Sequence, residues 1–427
     1  MSSGKKTWSA TLLATTVLVV TAACGGAGGG EGADGTVKLR FAYWGSDARQ
    51  KMTEEAIKKF EAKNPGVDVE GEFSDWASYY ETLSTKVAGS DAPDVISLEI
   101  RGLREYADRG TLADLAGKVD TADLDAKVLA TGAIDGKQFA VPTGVNAFSL
   151  LVNPALVERS KAELPDDTQW TWDDYVELAA RITSGSGGEV TGTQLSWNPA
   201  YLQIYATQKG EPFYEGNRLG LSPETVKEWW AIMQNLIRTK GAPDAAKSSE
   251  IGATSIDQSL LGTNSGAMGM WWSNQLGAAA KASGGQLDLL RMPKLSGAAS
   301  GGMFLQPAMF YSASSTTGHA AEAAAFIDFM INDPEAGQII LSDRGLPASS
   351  KVLAAVRDKL PEADKKTLAF LDETKGELTD PPAAPPKGAS AMEDILTRYS
   401  EEVMFGRMTP DDAAQKFITE ANASIAG

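Results

Sequence analysis

Trp44, Ser46 and Arg49 follow an alternating run, Val37 to Trp44, that reads as a strand. Trp76 opens the helix after a second predicted strand, Val67 to Phe73, and Glu99 and Arg101 follow a third, Asp94 to Leu98. Three successive strand ends thus carry indole rings, a hydroxyl, a carboxylate and guanidiniums. In open α/β sheets, ligand-binding groups collect just past the carboxyl ends of the strands. Flat rings suit the apolar C–H faces of a cyclic solute, while fixed donors and acceptors suit a rim of hydroxyls. The set therefore fits a hydroxyl-rich ligand better than a strongly charged one. Trp44 is placed to face it, because Gly45 ends the strand there. Plainer roles stay open for the others. Trp76 shares helical spacing with Tyr80, Leu83 and Val87, which also describes a core stripe. Glu99 and Arg101 could simply pair with each other.

A second group lies farther along. Trp271 and Trp272 are adjacent in an apolar run that reads as a strand, so their rings point to opposite faces. One can meet a ligand while the other packs inside, and Trp272, with Asn274 on its face, is the one expected outward. Trp197 ends a short apolar run before Asn198-Pro199 and is a further candidate. Gly301-Gly302 lets backbone approach closely, for a ligand or for a tight turn. Trp229, with Met233, Leu236 and Ile237, forms an apolar helical stripe and is expected in the core.

These residues need a frame. Helices are predicted between the first strands, with Asn64-Pro65-Gly66 stopping the first. Strand, helix and strand in turn make right-handed crossover units with a parallel sheet, so the fold class is α/β. Later helices read over 170–182, 223–238, 320–331, 392–405 and 410–425. The proline-rich stretch 380–388 reads as a loop or linker.

Composition narrows the function. The 427-residue chain is long enough for two cores. Its net charge of −17 argues against nucleic acid, whose phosphates need Lys and Arg. With one cysteine there is no intrachain disulfide, and with one histidine, His319, no histidine-based metal site. There is no GxSxG elbow and no phosphate-binding GxxxxGK[ST] loop. The adjacent pairs Asp166-Asp167, Asp173-Asp174 and Asp411-Asp412 sit where helices are expected to start, and carboxylates suit the dipole there. At the N-terminus, Lys5 and Lys6 precede an apolar run, Ala10 to Val20, that is too short to span a bilayer. Residues 1–23 therefore read as a secretory signal. Cys24 sits at the cut and could accept a lipid, with residues 24–36 as a glycine-rich tether; an ordinary cleaved signal is the alternative.

The stretch Thr21-Ala22-Ala23-Cys24 resembles a bacterial lipoprotein signal, although Thr21 stands where a branched apolar residue is usual. Farther on, WGSDARQKMTEEAIKKFEAKNPGVDVE, DAPDVISL and REYADRGTLADL resemble the opening of ABC-transporter solute-binding proteins of the sugar-binding branch, the maltose-binding-protein family. Val141 to Asn146 with Leu150 to Asn153 is similar to that family's crossing segment. Trp170 to Tyr175, Ala267 to Asn274 and Arg344-Gly345-Leu346-Pro347 follow in the family's order. The resemblance implies a two-lobed periplasmic-binding-protein-like fold whose lobes are joined by crossover hinge segments. It implies one lobe from residues 37–145 and 308–350, and another from 146–307 and 351–427. Asn146 stands where relatives place a polar sugar contact, and Arg344 falls near the cleft, able to reach a ligand carboxylate or cap a helix. The family's late aromatic is not evident, since Gly388-Ala389-Ser390 stands there. The implied function is capture of a mono- or oligosaccharide by hinge closure and delivery to the transmembrane subunits of an ABC permease. The protein would be a monomer without cofactor or metal, held by lipid on the extracytoplasmic face of the cell membrane. A secreted polysaccharide-acting hydrolase or lyase, or a receptor for a non-sugar solute on the same fold, are the alternatives.

Overall fold

The computed structural model describes residues 35–252 and 254–426, so the signal, Cys24 and most of the tether lie outside the described residues. Strand Val37–Trp44 pairs in parallel with both Val67–Ser74 and Val95–Leu98, as the crossover reading requires. Helices Asp47–Lys63 and Trp76–Ala88 make the connections. Each begins at a side-chain cap: Ser46 accepts from the Arg49 amide and Asp75 from the Ser78 amide. The first helix turns Thr53, Ala56, Ile57 and Phe60 inward, three- and four-residue steps that make one buried face.

The sheet order is Val67–Ser74, Val37–Trp44, Val95–Leu98, Leu305–Ala313, Val141–Val152, Gly266–Trp272 and Thr191–Gln194. Val141–Val152 is the strand that joins its two parts. Residues 141–147 run antiparallel to Leu305–Ala313, whereas residues 148–152 pair with Gly266–Trp272 and, over their last three, with Asp288–Leu290. The pairing with Leu305–Ala313 is bulged around Pro307 to Met309. A proline has no N–H for the ladder, and a bulge is where a sheet accommodates one. Here the bulge lies beside the cavity described below.

Buried side chains group accordingly. Phe41, Phe60, Tyr311 and Phe326 pack on one face of the first part, and Trp44, Tyr79, Leu98 and Phe310 on the other. The second part has a larger core that includes Phe148, Trp172, Trp229, Trp230 and Phe417. Trp229 is fully buried, as its helical stripe predicts. The proline-rich stretch touches the first part: Ala384 joins its core and Asp380 pairs with Lys127.

Two glycines make a close crossing possible. At Gly144 a Cβ would stand 2.2 Å from the Arg344 carbonyl oxygen, and Gly345 has φ +83°. Between them Leu346–Pro347 can lie against Val145 and Gly144 as a short antiparallel strand.

Candidate ligand-binding site

A cavity of about 470 Å³ opens where the two parts face each other. Trp44, Glu99 and Arg101 come to it from the first part, and Asn198, Tyr214 and Trp272 from the second. Asn146 and Gln306, paired across the bulged strands, also border it.

Trp44 closes the first strand at 6% exposure, its ring 5.0 Å from Tyr79 and 5.3 Å from Trp76. It borders the cavity. Trp76 is not part of the core stripe that its spacing permits. It is 41% exposed, does not line the cavity, and carries the Arg101 guanidinium 4.9 Å above its ring. Ser46 Oγ accepts from the Arg49 amide as a helix cap, and the residue does not border the cavity.

The arginines are present but engaged. Arg49 donates from Nε to Asp343 at 2.6 Å and from Nη2 to the Asp343 carbonyl at 2.8 Å. Its stem crosses Gly45, where a Cβ would sit 2.4 Å from the Arg49 Cδ. Arg101 pairs with Glu99 at 2.7 Å. Burial pushes the Glu99 carboxyl above its ordinary range; Arg101 offsets part of this and Glu393 adds to it. Arg344, 4% exposed, borders the cavity, yet its guanidinium donates to the Tyr311 hydroxyl and, at 2.6 Å, to Thr53. Asp343, the partner of Arg49, lies 3.9 Å from the Arg344 Nε.

Asn146 is the opposite case. It is 6% exposed, and its Oδ1 is buried without a hydrogen-bond partner. A buried acceptor left unmatched is costly, so the position awaits a donor.

Trp272 borders this cavity and a smaller adjoining one, with its ring edge-on to Phe148 at 5.2 Å. Trp271 does not simply pack inside: it borders the smaller chamber while resting against the cluster of Leu151, Leu261 and Leu276. Asn274 lines the larger cavity from a 3₁₀ turn, Ser273–Gln275, rather than from the strand. Trp197 borders the smaller chamber at 7% exposure.

Asn198, Gln306, Asp343 and Glu393 escaped sequence reasoning. Asn198 had a signal, an Asn-Pro helix start, and it does cap Pro199–Gln208. The others depend on pairings remote in sequence. Gly302 takes the tight-turn option, with φ +73° against the Ile204 carbonyl. Where the late aromatic is missing, Pro385, Ala389 and Ser390 border the cavity. Asp166-Asp167 opens a turn, not a helix; Asp167 pairs with Arg291 instead. Among the described residues no cluster of His, Cys, Asp and Glu is arranged to hold a metal ion.

Residues 55–370 match the family model for the bacterial extracellular solute-binding protein. The chain belongs to that family. Its members bind solutes outside the cytoplasm, work with ABC permeases and are not catalysts. An uncharacterised lipoprotein of Streptomyces antibioticus is 26% identical over 358 residues, 80% of this chain and 77% of that one. The fold matches an oligogalacturonide-binding protein of Yersinia enterocolitica in complex with saturated digalacturonic acid, with TM-score 0.79 and 22% identity over 91% of this chain and 98% of that one. It also matches an ABC substrate-binding protein of Listeria monocytogenes in complex with cycloalternan, with TM-score 0.76 and 23% identity over 92% and 99%. The two-part α/β architecture is therefore that of periplasmic solute-binding proteins.

Proposed function

We propose that this solute-binding protein captures a carbohydrate and hands it to an ABC importer. The observation that carries the reading is Asn146: a buried, unmatched acceptor in a cavity bordered by Trp44 on one side and Trp272 on the other. Rings for C–H faces and a free carbonyl for a hydroxyl donor are what a sugar uses. The relatives that bind oligogalacturonide and cycloalternan support the ligand class. We further propose lobes of residues 37–145 with 308–350 and 146–307 with 351–427, closing on the ligand as a hinge. The monomer would be held at the membrane by lipid on Cys24, as the Streptomyces lipoprotein relative encourages. One acyl chain binds only marginally, so a stable anchor needs more than one.

Thermal unfolding with a panel of neutral, amino and uronic sugars and diamines tests the ligand class. A ligand at a hundredfold over its Kd should stabilise by about 2.7 kcal/mol. A panel in which diamines alone raise the Tm defeats the carbohydrate reading.

A further inference from the structure

Asn198, Trp272, Gln275 and Glu393 border two chambers at once. Behind them the smaller chamber, about 270 Å³, is bounded by Trp197, Trp271 and the helix Met392–Met404. All of its lining comes from residues 148–275 and 393–401, away from the first three strands. Taken together, the two chambers have the capacity of an ordinary ligand site, about 300–1,000 Å³.

The smaller chamber carries signs of a built site. Trp197 is 93% enclosed, at 7% exposure, and its Nε1–H has no partner. The Ser249 hydroxyl beside the same space is also buried and unmatched. Two donors of this kind, like the Asn146 acceptor in the larger chamber, are left for a guest to satisfy. Glu393, Thr397 and Glu401 recur every fourth residue, so one polar edge of their helix runs along the chamber.

Charge limits what the guest can be. In the larger chamber Arg49 is answered by Asp343 and Arg101 by Glu99. Among the described residues no ion pair answers Glu393 or Glu401. Arg344 adds a third positive charge to the larger chamber, held by the Tyr311 and Thr53 hydroxyls and sharing Asp343 with Arg49. In the smaller chamber the charged lining among the described residues is Glu393 and Glu401, so its charge is negative.

Resting on the carbohydrate reading above, we infer that the smaller chamber is a second saccharide subsite. The ligand is then an oligosaccharide whose far unit is neutral or amine-bearing, not a uronate. Trp197 Nε1 and Ser249 Oγ donate to its oxygens, Trp271 and Trp272 flank it, and the two carboxylates accept from its hydroxyls or an ammonium group.

Calorimetric titration of the mature protein separates the possibilities. The probes are glucose and maltotriose, glucosamine and its β-1,4 trimer, and galacturonic acid and its trimer. The readout is the ratio of trimer to monomer affinity within each series. We expect a ratio of at least about tenfold in the glucose or glucosamine series and the smallest gain in the uronic series. Thr397→Trp, which fills the chamber, should bring the ratio close to one. Trp197→Phe, which keeps a ring but removes the donor, should lower it about tenfold, the worth of one buried hydrogen bond. Where Thr397→Trp fails to fold by circular dichroism, Trp197→Phe decides. A ratio unchanged by the substitutions, or steepest for the uronic series, overturns the subsite while leaving a sugar-binding protein. Binding of none of the six probes, with a diamine bound instead, removes the carbohydrate reading itself.

Discussion

Arg49 and Asp343 meet at 2.6 Å although 294 residues separate them. Both side chains are mostly shielded, at 17% and 21% exposure, so the pair is a fixed part of the cavity rim rather than a loose surface contact. It joins the first helix to the loop that carries Arg344, and it cancels the charge that Arg49 would otherwise present to a ligand.

Asp343→Asn should therefore change selectivity. With its carboxylate gone, Arg49 becomes available to an anion, and a charge-assisted hydrogen bond contributes about 1.5–3 kcal/mol. Galacturonic acid should gain at least about tenfold over galactose in competition titrations. Equal affinities in variant and parent would show that Arg49 does not reach the ligand.

Asn146→Leu sets function against stability. Oδ1 makes no hydrogen bond inside the protein, so an apolar side chain of similar size loses none and removes a buried polar group. The free protein should melt at the same temperature or higher, while sugar affinity falls about tenfold. A variant that loses stability but keeps its affinity would place Asn146 in the scaffold instead.

Glu99 supplies a pH signature. Its carboxyl is raised above the ordinary 4.5, chiefly by burial, so the folded state holds its proton more tightly than the unfolded state. That contribution to stability is complete below the unfolded value and is lost as pH rises through the raised folded value. Glu99→Gln cannot titrate. Its stability relative to the parent should rise as pH climbs from the ordinary carboxylate value through the raised folded one, measured by urea unfolding. A difference independent of pH would contradict the burial of this carboxyl.

Gly144→Ala tests the close crossing. The new Cβ would lie 2.2 Å from the Arg344 carbonyl oxygen, a main-chain atom that cannot rotate away. Overpacking of this kind costs about 1–3 kcal/mol, visible as a lower urea midpoint. Unchanged stability would mean that the Arg344–Pro347 segment is free to shift.

Much of this architecture can be read from neighbouring residues. The crossover units, the caps at Ser46 and Asp75, and the place of Trp44 at the end of its strand follow from alternation, turn residues and strand ends within short windows. Trp76 could not be placed that way, because its spacing fits a core stripe and only the packing at the helix start exposes it. Arg49 and Arg344 looked like free cations because Asp343 and Tyr311 are brought to them by the fold. Gln306 becomes a cavity residue only once it is known to pair opposite Asn146. Side chains whose partners are local were legible; those whose partners arrive from another part of the chain were not.

Leu305–Ala313 sits between Val95–Leu98 and Val141–Val152 in the sheet. During synthesis the three N-terminal strands can find one another early, but the flank of Val95–Leu98 stays unsealed until residues 305–313 have emerged. An exposed edge of that sort invites adventitious pairing with other chains. Fragments ending before residue 305 should accordingly aggregate, and assembly should be slowed by the long loop that must close. The mature shape is a property of the nearly complete polypeptide, and no shorter N-terminal piece inherits it.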